Sequence, residues 1–359
     1  MSKIISIGTA VPKHRTEQPA ILEFMHAAYG NDTSSRKLNV LFHNSGISTR
    51  YSAIPDFDKN RHQHIFFNGT PSKANVVDRL DVFKEQAIPL AIDAINNSFE
   101  KINTGIDAFG ITHLITVTCT GLSAPGIDAL LIEQLNLPKD IFHTSVNFLG
   151  CNAAFHALKM ADLISKTDDK AKILIVCVEL CTLHFQPKSN HDNLLSNTIF
   201  GDGAAAVIVT SDQAEEKGLI IDGFYSLLLT KGKELMGWNV TPVNFEMILD
   251  SRIPELIGDE VKEVLSNALS RFNAKSVDHW AIHPGGKKIV DVIKSKLQLS
   301  EENTKASYKI LDEYGNMSSP TILFVLNELM QEKQHTGESV FSIGFGPGLS
   351  IETALFTYE

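Results

Sequence analysis

Six short apolar runs recur along the chain: KIISIG, HLITVTC, KILIVCVEL, GAAAVIV, HWAIH and SVFSIGFG. None alternates apolar with polar residues, so none suits a strand with one wet face; such runs belong to strands covered on both sides. Between them the period changes. AAFHALKMADLI sets Ala154, Ala157, Leu158, Ala161 and Ile164 on one helical stripe. DEVKEVLSNALSRF and GKKIVDVIKSKL read the same way, and FKEQAIPLAIDAINNSF reads as a helix kinked at Pro89. Strands alternating with helices make an α/β protein. At 359 residues the chain can form one large domain or two packed halves.

A Phe-Gly-x-Gly turn ahead of a strand-like run occurs twice, in IFGDGAAAVIV (199–209) and IGFGPGLSIETALF (343–356). The echo suggests two related halves, 1–215 and 216–359, joined through the charged stretch SDQAEEKG. No low-complexity linker separates them, so tight packing is expected. A composition of 43% apolar and 21% charged residues is that of a globular protein. The net charge of -10, without a dense basic stripe, argues against a nucleic-acid partner. No run is long enough for a membrane span, and the apolar start is too short for a signal peptide. Four cysteines, at 119, 151, 177 and 181, do not form a disulfide framework or a zinc pattern, so reduced thiols in a cytoplasmic protein are expected. No metal-ligand spacing appears, and His62 and His64 read as a solvent-exposed pair.

Three segments could carry chemistry. In NFLGCNAAFHALKMADLI a lone Cys151 precedes an apolar helix; buried cysteines are common packing residues, yet a helix start also lowers a thiol's pKa. In DHWAIHPGGKKI, His283 falls at the end of an apolar strand, before glycines that allow close approach of a ligand. In DEYGNMSSPTILF, Ser318 is a candidate N-cap and Pro320 fits the first helical turn, which leaves Asn316 in a Gly-flanked turn. Asn316 is either a turn residue or a neutral donor toward a developing oxyanion. The turns FGDG and GFGPG match no phosphate-loop fingerprint and suit a cavity wall better.

Taken in order, GTAVPKH, Cys151, GDGAAAVIV, HPGG with His283, YGNMSS with Asn316 and GFGPGLSIETALF resemble the type III polyketide synthases of the chalcone synthase family. The resemblance runs over most of the chain. It implies a thiolase-like fold of two similar halves layered αβαβα, a homodimer, and acyl-CoA and malonyl-CoA as substrates with no permanently bound cofactor. It also implies that Cys151 is the nucleophile, held as a thiolate by His283, and that His283 and Asn316 stabilise the enolate left by malonyl decarboxylation. Phe200 matches an aromatic gatekeeper, and Met247, with Phe245 nearby, matches a second.

Several cavity positions depart from the plant enzymes. Cys119, Cys181 and His184 replace threonines and Ser196 replaces a glycine, while outside the cavity Ala124 replaces a methionine that reaches across the plant dimer. With Ser318 these positions should shape substrate binding, so flavonoid chemistry does not carry over. A flexible methionine beside the cavity leans toward a fatty acyl starter and an alkylpyrone or alkylresorcinol product. For the CoA phosphates the resemblance points to Arg50, in STRYS, and to Gly285 and Lys288 after HPGG. Two other readings share the triad or the fold: a ketoacyl synthase III taking its extender from acyl carrier protein, and a non-catalytic acyl-binding protein.

Overall fold

All six apolar runs become strands. In the computed structural model, which describes residues 1–30, 34–57, 65–67, 74–211, 214, 216–332 and 335–359, the first half contains β1 (Ser2–Ala10), β2 (His14–Glu17), α1 (Gln18–Tyr29), α2 (Ser34–His43), β3 (Thr49–Ser52), α3 (Val76–Lys101), α4 (Ile106–Phe109), β4 (His113–Thr118), α5 (Ile127–Gln134), β5 (Phe142–Asn147), α6 (Ala153–Thr167), β6 (Lys172–Leu180), α7 (His191–Ile199) and β7 (Asp202–Ser211). The second half contains β8 (Leu219–Leu228), β9 (Met236–Val240), β10 (Phe245–Leu249), α8 (Ile253–Phe272), β11 (His279–Ile282), α9 (Lys287–Leu297), α10 (Glu301–Tyr314), α11 (Thr321–Gln331), β12 (Ser339–Gly346) and β13 (Ser350–Tyr358). His62, His64 and residues 212, 213 and 215 of the connector lie outside the described residues.

A nine-stranded sheet has the order β11-β12-β13-β8-β1-β7-β6-β4-β5. Apart from the extra edge strand β5, this order is a palindrome about the β8–β1 seam. β1 pairs antiparallel with β7, β7 antiparallel with β6, and β6 parallel with β4. β8, β13, β12 and β11 repeat those relations step for step. The seam is short, from Ser2–Ile221 to Ile4–Leu219. The two ends of the sheet fold into separate layers about it.

Unalternated strands are explained by what covers them. Ile173, Ile175 and Cys177 of β6 face a middle core shared with α6 and α11, while Leu174, Val176 and Val178 face an outer core under α3. In the second half Phe341, Ile343 and Phe345 of β12 pack under Val261 and Val264 of α8 and Ile289 and Ile293 of α9. Successive side chains of a strand point to opposite faces, so both sets must be apolar when both faces are covered. The result is the αβαβα layering expected from the resemblance.

α3 runs unbroken through Pro89. Its start is fixed by Asn75, whose side chain accepts from the Val77 and Asp78 amides while Asp78 caps back, a reciprocal capping box. Within the nine-stranded sheet β5 is an exposed edge, FHTSVN, and β8, LIIDGFYSLL, has only part of its length buried. Among the described residues no helix is long and apolar enough to cross a membrane.

Candidate active site

The palindrome sets α6 and α11 in equivalent places, each leading into the middle strand of its half. The turns ahead of these helices carry Cys151 and Asn316. In the first turn Gly150 has φ 80°, and a Cβ there would lie 2.3 Å from Pro347 Cδ. Only glycine takes this conformation at so close an approach. One turn of 3-10 helix, Gly150–Asn152, then delivers Cys151 to the head of α6. In the second turn Gly315 has φ 70°, and a Cβ there would lie 2.6 Å from the Ile199 carbonyl oxygen.

Asn316 is fixed by its backbone and by its own amide. Its N–H donates to Ile199 O at 2.8 Å, and its carbonyl accepts from Gly201 N at 3.0 Å, which clamps Phe200 between. Asn316 Oδ1 accepts from Ser318 N at 2.8 Å. That contact sets the amide orientation, so Nδ2 faces Cys151 Sγ at 3.9 Å and Gly285 O at 3.3 Å. His283 follows β11, its N–H donating to Ile343 O at 2.8 Å. A Cβ on Gly285 would lie 3.6 Å from His283 Nε2, so Gly285 links the imidazole to Asn316. Cys151, His283 and Asn316 are all buried.

Burial sets the resting charges. It pushes the Cys151 thiol up to about 11, against opposing hydrogen bonds from Ser318 and Asn316, with the Glu179 charge adding to the rise. Burial pulls His283 down to about 3. Neither ring nitrogen of His283 has a hydrogen-bond partner. Both directions favour a neutral thiol and a neutral imidazole rather than the thiolate held by His283 that the resemblance implies, and no hydrogen bond joins the two.

Five of the expected pocket residues, Cys119, Cys181, Phe200, Met247 and Ser318, line a narrow chamber with Cys151, closed by Trp238 and Pro347. Phe200, Met247 and Trp238 also form the near wall of an inner chamber reaching Met25, Phe57, Phe185 and Ser196. Cys119 Sγ accepts from Gly150 N at 3.1 Å, bracing the turn that carries Cys151.

Three expectations are corrected. Arg50 is not at the surface where CoA phosphates would bind: it is 5% exposed, its Nε donates to Gln18 Oε1 and its Nη1 to the carbonyls of Asn197 and Phe200. The residue borders the inner chamber instead. His184 does not line either chamber. Its Nε2 donates to Thr120 O, its Nδ1 accepts from Phe245 N, and its ring stacks on Phe245 at 4.4 Å, which braces the wall from behind. With burial lowering its pKa to about 3, it stays neutral there. Ser318 is not the N-cap of α11; Pro320 holds that position, and Ser318, at φ 61°, turns its hydroxyl to the Cys151 sulfur. Lys288 is exposed in the first turn of α9, beside Lys287, whose Nζ is paired with Asp291.

Two site residues escaped the sequence reading. Glu179 is fully buried; its Oε2 accepts from the amides of Cys119 and Thr120 and from Thr120 Oγ1, and its Oε1 from Ser319 Oγ. One carboxylate thus ties the Cys119 loop of the first half to the Asn316 turn of the second. Its signal was a lone acid inside the apolar run KILIVCVEL. Trp238, whose Nε1 donates to Cys119 O at 2.8 Å, had none beyond being a large aromatic in a polar segment.

The comparisons agree with this geometry. The family described as "Chalcone and stilbene synthases" matches the chain with its N-terminal domain over residues 1–213 and its C-terminal domain over 226–358. "Alpha-pyrone synthesis polyketide synthase-like Pks18" of Mycobacterium tuberculosis is 28% identical, across 98% of this chain and 90% of its own length. "3,5-dihydroxyphenylacetyl-CoA synthase" of Streptomyces toyocaensis is 29% identical, across 98% of this chain and 89% of its own. Among solved structures, the C-terminal type III polyketide synthase domain of Steely1 from Dictyostelium superposes with a TM-score of 0.91 at 27% identity, covering 99% of each chain. PKS-I of the brown alga Ectocarpus siliculosus superposes with a TM-score of 0.89, also at 27% identity, covering 100% of this chain and 98% of that one. A buried cysteine and asparagine facing one another across two mirrored halves, in a chain matched along nearly its whole length, make this protein a member of the chalcone and stilbene synthase family, a type III polyketide synthase.

Proposed function

We propose that Cys151 takes the acyl group of an aliphatic CoA thioester and that malonyl-CoA extends it by decarboxylative condensation, ending in ring closure of the pyrone or resorcinol type. The contact that carries this reading is Asn316 Nδ2 facing Cys151 Sγ at 3.9 Å, with both side chains buried. A proton passes from Cys151 to His283, which converts the neutral resting pair into a thiolate and an imidazolium that stabilise one another. The thiolate attacks the thioester carbonyl, and CoA leaves as its thiol with the proton from His283. Malonyl-CoA then loses CO2. The electron pair of the broken bond becomes an enolate, whose oxygen sits between Asn316 Nδ2 and His283. The enolate carbon attacks the acyl-cysteine, and Cys151 departs as thiolate, ready to receive the longer chain.

Asparagine suits this position because its neutral amide donates a hydrogen bond yet is too weak an acid to protonate the carbanion. Phe200, Trp238 and Met247 offer an apolar passage for the acyl chain. Lys288, exposed beyond Gly285, is the cation we assign to the CoA phosphates. We also assign the active form as a homodimer: β5 is an exposed sheet edge, with Phe142 on it and Leu122 and Leu149 nearby also exposed, and a second copy could pair with that edge. All four cysteines are free and buried, which fits a reducing, cytoplasmic setting.

The test is intact-protein mass spectrometry after incubation with a panel of acyl-CoA thioesters, then with malonyl-CoA or malonyl-acyl carrier protein. An acyl adduct on Cys151 that disappears as extended products form supports the reading. No adduct, or extension by the carrier-protein thioester alone, overturns it.

A further inference from the structure

The inner chamber has one wall that an alkyl chain would not satisfy. Arg50 uses Nε and Nη1 on neutral oxygens, Gln18 Oε1 at 2.9 Å and the carbonyls of Asn197 and Phe200 at 2.9 and 2.6 Å. Its Nη2 is buried and has no hydrogen-bond partner. On the same chamber wall the Ser196 hydroxyl is also buried without a partner. Asp202, the acid whose charge Arg50 feels, gives its own oxygens to Ala53 N, Thr182 N and Thr182 Oγ1. Buried polar groups are nearly always paired, and buried cations usually meet an anion. Two unpaired donors bordering one void mark a place where a ligand oxygen would complete both.

We propose that this wall binds the far end of the acyl group held on Cys151, and that the end carries an oxygen acceptor, a ketone or a carboxylate, taken by Arg50 Nη2 and Ser196 Oγ. The proposal rests on Cys151 being the acyl-accepting nucleophile, and it narrows the aliphatic starter from a plain alkyl chain to one oxygenated at its far end. The methylenes would pass Phe200, Trp238 and Met247, which border both chambers, and the oxygen would reach the polar wall. A carboxylate would also supply the counter-charge that Arg50 lacks in direct contact. A site whose buried donors expect an acceptor discriminates strongly against an analogue without one, because the donors then stay unpaired.

The experiment compares valeryl-CoA, levulinoyl-CoA and glutaryl-CoA as starters with malonyl-CoA, so that alkyl, ketone and carboxylate ends are presented on chains of equal carbon number. We expect kcat/KM for the ketone or the carboxylate, whichever the site takes, to exceed that for the alkyl chain by about tenfold or more. Ser196→Ala removes one donor with little change in shape and should bring that ratio close to unity. Arg50→Gln should do the same, with thermal melting to check its fold because Arg50 ties three other residues together. An alkyl starter used as well as or better than both others, or a ratio unchanged in Ser196→Ala, overturns the proposal. If valeryl-CoA is extended and the other two are not, the role of Cys151 stands and the inner wall is wrong; if no thioester is loaded, both fall.

Discussion

The two halves of the molecule have the same skeleton and opposite chemical duties. Strands β4, β6, β7 and β1 of the first correspond to β11, β12, β13 and β8 of the second, with matching parallel and antiparallel steps. In the first half the turn before the central helix carries Cys151, the nucleophile of our proposal; in the second the equivalent turn carries Asn316, its neutral donor. The loop after β4 carries Cys119 and the loop after β11 carries His283. A duplicated fold thus sets Cys119 and Cys151 of the first half on one chamber and brings Asn316 of the second, next to Gly285 and so to His283, against the Cys151 sulfur. Glu179, bonded to the Cys119 loop on one side and Ser319 on the other, keeps the two sets in register.

If the halves divide the labour, they can be separated by mutation. Cys151→Ala should abolish acyl loading and condensation, a fall on the order of 10⁴ or more, yet leave most of the malonyl-CoA decarboxylation, which needs only the second half. Asn316→Asp, which sets an acid where the enolate forms, should lower decarboxylation by about 10²–10³. Labelled CO2 release from malonyl-CoA checks both, and loss of decarboxylation in Cys151→Ala would show that the duties are not divided.

A second measurement asks how the halves communicate. Burial alone would keep the Cys151 thiol protonated until the pH approaches about 11. A raised thiol pKa means less thiolate at any lower pH, so in His283→Gln alkylation by iodoacetamide should climb only toward that value. If the imidazole takes the thiol proton, the parent protein should be alkylated faster than His283→Gln at every pH below that value. Matching pH profiles for the two proteins would remove the imidazole from the activation of Cys151.

The smallest effect concerns the two glycine turns. An alanine at 150 would press on the Pro347 ring and one at 315 on the Ile199 backbone carbonyl, both at positive φ. A backbone carbonyl held in a hydrogen bond gives way less than a ring edge. Gly315→Ala should therefore cost about 2–4 kcal/mol and Gly150→Ala about 1–3 kcal/mol in urea unfolding. The reverse order would mean that the first turn is the stiffer of the two.

Much of this was readable from the chain because it is local. Apolar runs without alternation, helical stripes between them and the repeated Phe-Gly-x-Gly specify a doubly covered sheet in two halves, since strand and helix periods are properties of neighbouring residues. Cys151, His283 and Asn316 stand out through their turns, since Gly150, Gly285 and Gly315 lie within two residues of them. Glu179 was hidden, because a carboxylate inside a strand is explained only by donors that come from residues 59 or more positions away.

Arg50 and His184 show where sequence stops deciding. A cation in a polar segment reads as a surface charge, and a histidine near a cavity reads as a cavity residue. Packing put the first among carbonyls at the edge of an inner chamber and the second behind a phenylalanine ring. By itself the sequence determined the elements, the doubled architecture and the reactive residue types, all of which depend on neighbours along the chain. Only the tertiary structure decided which side chains face the chamber, which are spent on holding it together, and that thiol and imidazole rest uncharged, because burial and hydrogen-bond partners are set by residues far apart in the chain.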